Sequence, residues 1–155
     1  MNFSKKLDRL GSQLAHSQAM IFERSVEQGY PSKMFIKCFM FSNEARSLDE
    51  LSLEKAGLSE VEIFDSIKQK IKSKRGQLLP YLVMHFIGYF YRVASYISGF
   101  SSKQLYKQIP VEFLLQNYLV LHSLDIEEAV KEVFDIKKIE QVDLYEQFKN
   151  IYGKY

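Results

Sequence analysis

The sequence predicts an all-α protein: a single helical domain, residues 1–155, of six to eight helices around a central apolar helix at about 80–98. Three observations carry this. Apolar residues recur at intervals of three and four. Most of the 3 Pro and 7 Gly fall where helices should begin or end. No alternating run long enough for a sheet occurs. With 155 residues, 46% hydrophobic and 26% charged, the chain can bury one real core and has ordinary globular composition rather than that of a disordered chain. The 12 Phe and 10 Tyr, with no Trp, predict an interior built around rings.

From Phe3, the residues Leu7, Leu10, Leu14 and Ile21 repeat at helical spacing, with Lys5, Lys6, Asp8, Arg9 and Gln13 opposite. Gly29-Tyr30-Pro31 stops this first helix, and Ser32 can start another. That second helix, Met34 to Phe41, is apolar nearly all round apart from Lys33 and Lys37, so it is buried or meets a partner. Ser47 with Glu50 reads as a capping box opening a short helix that Gly57 closes. Ser59 with Glu62 reads as a second box, opening a helix that Gly76 closes. Pro80 suits the first turn of the central helix, and Gly99 its stop. Ser101 or Ser102 caps a short helix ending before Pro110, which starts Val111 to His122. Asp125 with Glu128 opens Ile126 to Phe134. Leu144, Phe148 and Ile151 form a one-sided stripe on a last helix.

Leu78 to Ile97 has the roughly 20 residues that a bilayer span requires. Against a span stand His85, Gly88, Arg92, Ser95 and four tyrosines along its middle, where hydrocarbon would make the Arg costly. A core helix wrapped by the others accounts for it better. His85, Tyr89, Arg92 and Tyr96 fall at i, i+4, i+7 and i+11, four polar-tipped side chains on one face. Either the stripe lines a groove receiving an acidic or aromatic group of a partner, or Arg92 meets an internal carboxylate in a buried network.

Chemistry is sparse. His16, His85 and His122 lack a second His or Cys at metal spacing. Cys38 lies in the apolar run Phe35 to Phe41, which raises a thiol pKa and leaves it inert. Gly76, Gly88 and Gly99 are too scattered for a phosphate loop. The acidic stretches, Glu44 to Asp65 and Asp125 to Glu146, read as solvated helix faces. The sequence therefore predicts no catalytic site, no metal and no cofactor. One cysteine and no visible secretory signal predict a cytoplasmic protein.

Lys68, Lys70, Lys72, Lys74 and Arg75 place five positive charges within eight residues. They suit a helix C-terminus through its dipole, or a basic surface that meets phosphates or an acidic partner. A helix-turn-helix drawn over Ser101 to His122 fails, because its second helix carries one acid, no base and large apolar groups. A net charge of +2 is also far from that of a duplex-binding protein.

Met84-His85-Phe86-Ile87-Gly88-Tyr89-Phe90-Tyr91-Arg92, then Ser101-Ser102-Lys103-Gln104-Leu105-Tyr106-Lys107, then His122-Ser123-Leu124-Asp125 resemble an uncharacterised small all-helical family of Gram-positive bacteria. The likeness covers about Arg75 to Ala129. The family is associated with toxin–antitoxin-like loci, which implies a neutralising or accessory protein partner; it supplies no catalytic residues to carry over. Taken together, the expectation is a non-catalytic protein-binding protein of a bacterial stress or defence module. Its contact residues are His85, Tyr89, Arg92 and Tyr96, with Lys70, Lys74 and Arg75 guiding by charge. The alternative is a nucleic-acid-binding regulator that uses the Lys68 to Arg75 cluster.

Overall fold

The computed structural model describes residue 3, residues 5–51 and residues 58–140. These form nine α-helices and no strand: α1 (Arg9–Glu27), α2 (Ser32–Met40), α3 (Asn43–Glu50), α4 (Glu60–Lys68), α5 (Tyr81–Ser98), α6 (Ser102–Gln108), α7 (Val111–Gln116), α8 (Tyr118–Leu121) and α9 (Ile126–Ile136). α5 is the central helix. It runs from Pro80 to a left-handed Gly99 at φ 83°, the start and stop that proline and glycine dictate. Among the described residues no helix is long and apolar enough to cross a membrane.

α5 packs chiefly on an antiparallel α1, then on α6, α7 and α9. The α1 face against α5 is made of small side chains: Gly11, Ala15 and Ala19, one turn apart, all buried. Opposite them lies Gly88, where a Cβ would fall 2.9 Å from the Phe22 ring, 3.1 Å from the Ala19 Cα and 3.1 Å from the Gln18 carbonyl oxygen. Two helices approach this closely only when neither carries bulk at the crossing. Rings fill the remaining core. Phe22 meets Phe39 edge-on at 5.1 Å, and Phe86 meets Tyr118 at 5.4 Å.

Several boundaries differ from the sequence expectation. α1 starts at Arg9 rather than Phe3, because Asp8 accepts from the Gly11 N–H at 2.9 Å; Phe3 instead packs its ring on Phe134. The inner face of α1 also differs: Leu10 is 47% exposed, and the small residues are buried in its place. Ser47 is not a cap. Ser42 caps α3 by accepting from the Ala45 N–H at 3.0 Å, Ser47 donates to the Asn43 carbonyl inside the helix, and Glu50 pairs with Arg46. The Ser59–Glu62 cap stands, but its helix ends at Lys68 and not at Gly76. After a turn at 69–70, residues 71–80 form a strap, because its groups find tertiary partners: Lys74 Nζ donates to the Gln28 carbonyl, the Ser32 N–H to the Gln77 carbonyl, and the Leu79 N–H to Ser32 Oγ. Ser101 and Gln104 form a full capping box on α6. The expected helix Val111 to His122 breaks at Asn117, whose side-chain amide bonds the Phe113 carbonyl and so competes with the helical pattern. Gly57 and the Leu144, Phe148 and Ile151 stripe lie outside the described residues.

Candidate interaction surfaces

The polar stripe of α5 is largely a seam. Tyr81 donates to Glu23 Oε2 at 2.5 Å, and His85 Nδ1 meets Glu23 Oε1. Gln18 Nε2 donates to the Gly88 carbonyl at 3.0 Å while its Oε1 accepts from Arg92 Nε at 2.7 Å. Tyr96 donates to Asp8 Oδ1 at 2.7 Å. Because the helices are antiparallel, successive turns of α5 meet successive turns of α1 in reverse order, and the polar tips are stitched across.

Arg92 lies at the centre and is 1% exposed. Its Nη1 donates to Asp49 Oδ1 at 2.6 Å and its Nη2 to Ser102 Oγ at 3.0 Å. Asp49 further accepts from the Ser102 N–H at 2.8 Å and the Ser102 hydroxyl at 2.6 Å. Four helices thus meet at one guanidinium: α1 through Gln18, α3 through Asp49, α5 itself, and α6 through Ser102. Burial pulls the Arg92 pKa down from its ordinary value, and the charge and hydrogen bond of Asp49 push against that. The expectation of Arg92 as a partner contact is corrected on this point: its five donors face inward, and the buried network is the arrangement present. His85, Tyr89 and Tyr96 remain half-exposed. Tyr89 stacks on His85, and Lys5 lies 3.8 Å over the Tyr96 ring.

The seam makes a pH prediction. Hydrogen bonding to Glu23 raises Tyr81 to about 12, and hydrogen bonding to Asp8 raises Tyr96 to about 12, with burial and carboxylate charge adding to both. A raised folded pKa contributes stability that is whole below the unfolded value near 10 and is lost as pH climbs through about 12. Ring-proton NMR should show both tyrosines ionising well after the free residue, and Glu23→Gln should return Tyr81 toward 10 while Tyr96 stays. Coincident titration of Tyr81 in both proteins would remove the Glu23 bond.

The basic cluster divides. Lys68 pairs with Asp65 and Lys70 lies 3.8 Å from Glu44. Lys74 is tied to Gln28 and sits 4.6 Å over the Tyr30 ring. Lys72 and Arg75 have no side-chain partner among the described residues. The helix-dipole account therefore covers Lys68 and, in the turn just past the helix end, Lys70, because the others lie on the strap.

An open cleft of about 570 Å³ separates α1 from α3 and α4. Leu10, Leu14 and Ile21 form one wall, Leu48 and Leu51 the second, and Leu58, Val61 and Ile63 the third. Its chemistry is apolar, with Ser17, Ser47, Ser59 and Glu60 as polar groups. Leu10, Leu51 and Val61 are each more than 40% exposed. Of the α1 stripe that the sequence makes conspicuous, Leu10 is exposed and Leu14 half-buried because α5 takes the small-residue face, while Ile21 is buried. Among the described residues no cluster of three His, Cys, Asp or Glu side chains could hold a metal. Cys38 is half-buried.

Sequence reasoning does not single out Asp49 or Gln18, and it reads Ser102 as a candidate helix cap rather than as a partner of Arg92; the three lie far apart in the chain. The Gly11-x3-Ala15-x3-Ala19 spacing was the available signal for the helix pairing. No protein-family model, curated protein or solved structure matches this chain.

Proposed function

We propose that the protein is a non-catalytic binding protein whose partner is another protein, seated on the α1–α3–α4 cleft. The observation that supports this reading is the cleft itself: α1, α3, α4 and their adjoining turns leave Leu10, Leu51 and Val61 exposed along one concavity that the buried Ile21 and Ile63 also line. Large apolar side chains gathered in one place mark an interaction surface more often than scattered ones do. A partner presenting an amphipathic helix would fit, its apolar residues entering at helical spacing. In this reading the protein acts in the cytoplasm as an antitoxin-like or accessory member of a bacterial stress or defence module, as its resemblance implies. Half-exposed Tyr89 and Tyr96 lie on the α1–α5 seam, outside the cleft lining.

The test is affinity capture of the tagged protein and of two cleft variants, Leu10→Lys and Val61→Lys. Both side chains are exposed, so neither change buries a charge, and melting should move by about 2 °C or less, from the roughly 0.5 kcal/mol of a surface change. A stoichiometric protein retained by the parent and lost from both variants is the expected result. Equal retention by all three would exclude the cleft as the binding face.

A further inference from the structure

We infer that the face running along α2, from the strap to α6, binds single-stranded nucleic acid. Residues 28–43 and 66–111 contain ten of the chain's 21 cations and none of its 19 acids, so α2, the strap and α6 bring no carboxylate of their own. The fold assembles these segments into one ribbon. At one end, Arg75 and Gly76 of the strap share a cleft of about 250 Å³ with Pro31, Lys33 and Met34 of the α2 start. Gly76 approaches so closely that a Cβ there would lie 2.6 Å from the Pro31 Cβ. Lys37 follows one turn after Lys33 on α2. At the far end Phe41, 41% exposed, meets Tyr106 of α6 edge-on at 5.4 Å. Lys103 and Lys107 lie 5.5 and 6.0 Å from the centre of its ring.

The ribbon's balance of charge is one-sided. Lys33 is neutralised by Glu112 of α7, and Glu50 of the neighbouring α3 is taken by Arg46. Arg75, Lys37, Lys103 and Lys107 have no carboxylate partner among the described residues. Cations spaced along an extended face, ending at an exposed aromatic ring, are what a single strand requires. Phosphates track the cations, and an unstacked base covers the ring. An acidic protein would satisfy the lysines too, but cations spaced along an extended face up to an exposed ring match the alternating phosphates and bases of a strand. The strap cluster is only one end of this surface, since Lys68, Lys70 and Lys74 are occupied by the fold.

The experiment is fluorescence anisotropy of a labelled oligothymidylate of about 12 nucleotides, inside the roughly 4–16 that one small domain covers, titrated with the full chain from low to physiological salt. Four cations predict that log affinity falls with log salt at a slope of about −3, from about −0.7 per phosphate on a single strand. Lys37→Gln and Lys107→Gln should each weaken binding and flatten the slope by about 0.7. Phe41→Leu should weaken binding roughly five- to hundredfold and leave the slope unchanged, as loss of one stacked base does. Lys138→Gln, outside the ribbon, should change nothing, and melting curves confirm that each variant is folded. The inference is overturned by no binding up to about 100 µM at low salt, given that non-specific sites reach 10⁻⁴ M or tighter. It is equally overturned by affinity indifferent to Lys37 and Lys107, or by retention on anionic vesicles or an acidic peptide with none on the oligonucleotide.

Discussion

Asp49→Ala should cost about 3–5 kcal/mol of folding stability, because it leaves the Arg92 guanidinium charged, buried and facing only neutral acceptors. For a chain of this size that is a fall in Tm of roughly 6–20 °C, from about 2–4 °C per kcal/mol. Arg92→Met should cost less. Asp49 then keeps the Ser102 N–H and hydroxyl as donors, and its side chain, at 9% exposure against 1% for Arg92, lies nearer water. Replacing both residues with apolar side chains of matching volume should recover much of the loss, since two desolvated charges leave together. Calorimetry of the two single variants and the double variant closes the cycle. A loss under about 1 kcal/mol for Asp49→Ala would mean that solvent reaches Arg92 and that the four-helix junction is not closed.

Gly88→Val should be nearly as damaging, by about 3 kcal/mol or somewhat more, through overpacking at the α1–α5 crossing. A Cβ at residue 88 would press on the Ala19 Cα and the Gln18 carbonyl, both backbone atoms of α1, at 3.1 Å. Backbone cannot rotate away, so the helices must part. Parting them stretches the Gln18–Gly88 bond and, through the same side chain, the Gln18–Arg92 bond. Gly88→Ala sets the same contact against a helix-propensity gain of about 1 kcal/mol, so its net cost should be at most about 2 kcal/mol. Urea unfolding of the pair tests this. A stabilised Gly88→Ala with an unaffected Gly88→Val would show that the crossing has room.

Much of the fold can be read locally. Pro80 and Gly99 bound α5 because one fixes φ and the other tolerates the left-handed region. The Ser59 and Ser101 caps act within four residues and owe nothing to the rest of the chain. Ser47 and Ser42 show the limit. Both can cap, and the one that wins begins α3 where Ala45 is buried and Asp49 reaches Arg92. The stripe of His85, Tyr89, Arg92 and Tyr96 is visible as a periodicity, but its partners Glu23, Gln18, Asp8 and Asp49 lie some 40 to 90 residues away. No spacing rule connects them.

The α1 helix divides the two kinds of information most clearly. Its sequence by itself determined that it is a helix carrying both an apolar stripe and a row of small residues, although the apolar periodicity runs back to Phe3 and the Asp8 cap places the start at Arg9. Which of the two faces inward was decided only by the tertiary structure. Gly88 lets α5 approach Gly11, Ala15 and Ala19 more closely than Leu10 and Leu14 would permit, and close approach multiplies dispersion contacts and aligns the polar seam. The leucine stripe is thereby left to line an open cleft. The basic ribbon follows the same division: local sequence determined that α2, the strap and α6 lack acids, and the hydrogen bonds that lay the strap against α2, with the packing of α6 on Phe41, brought their charges onto one face.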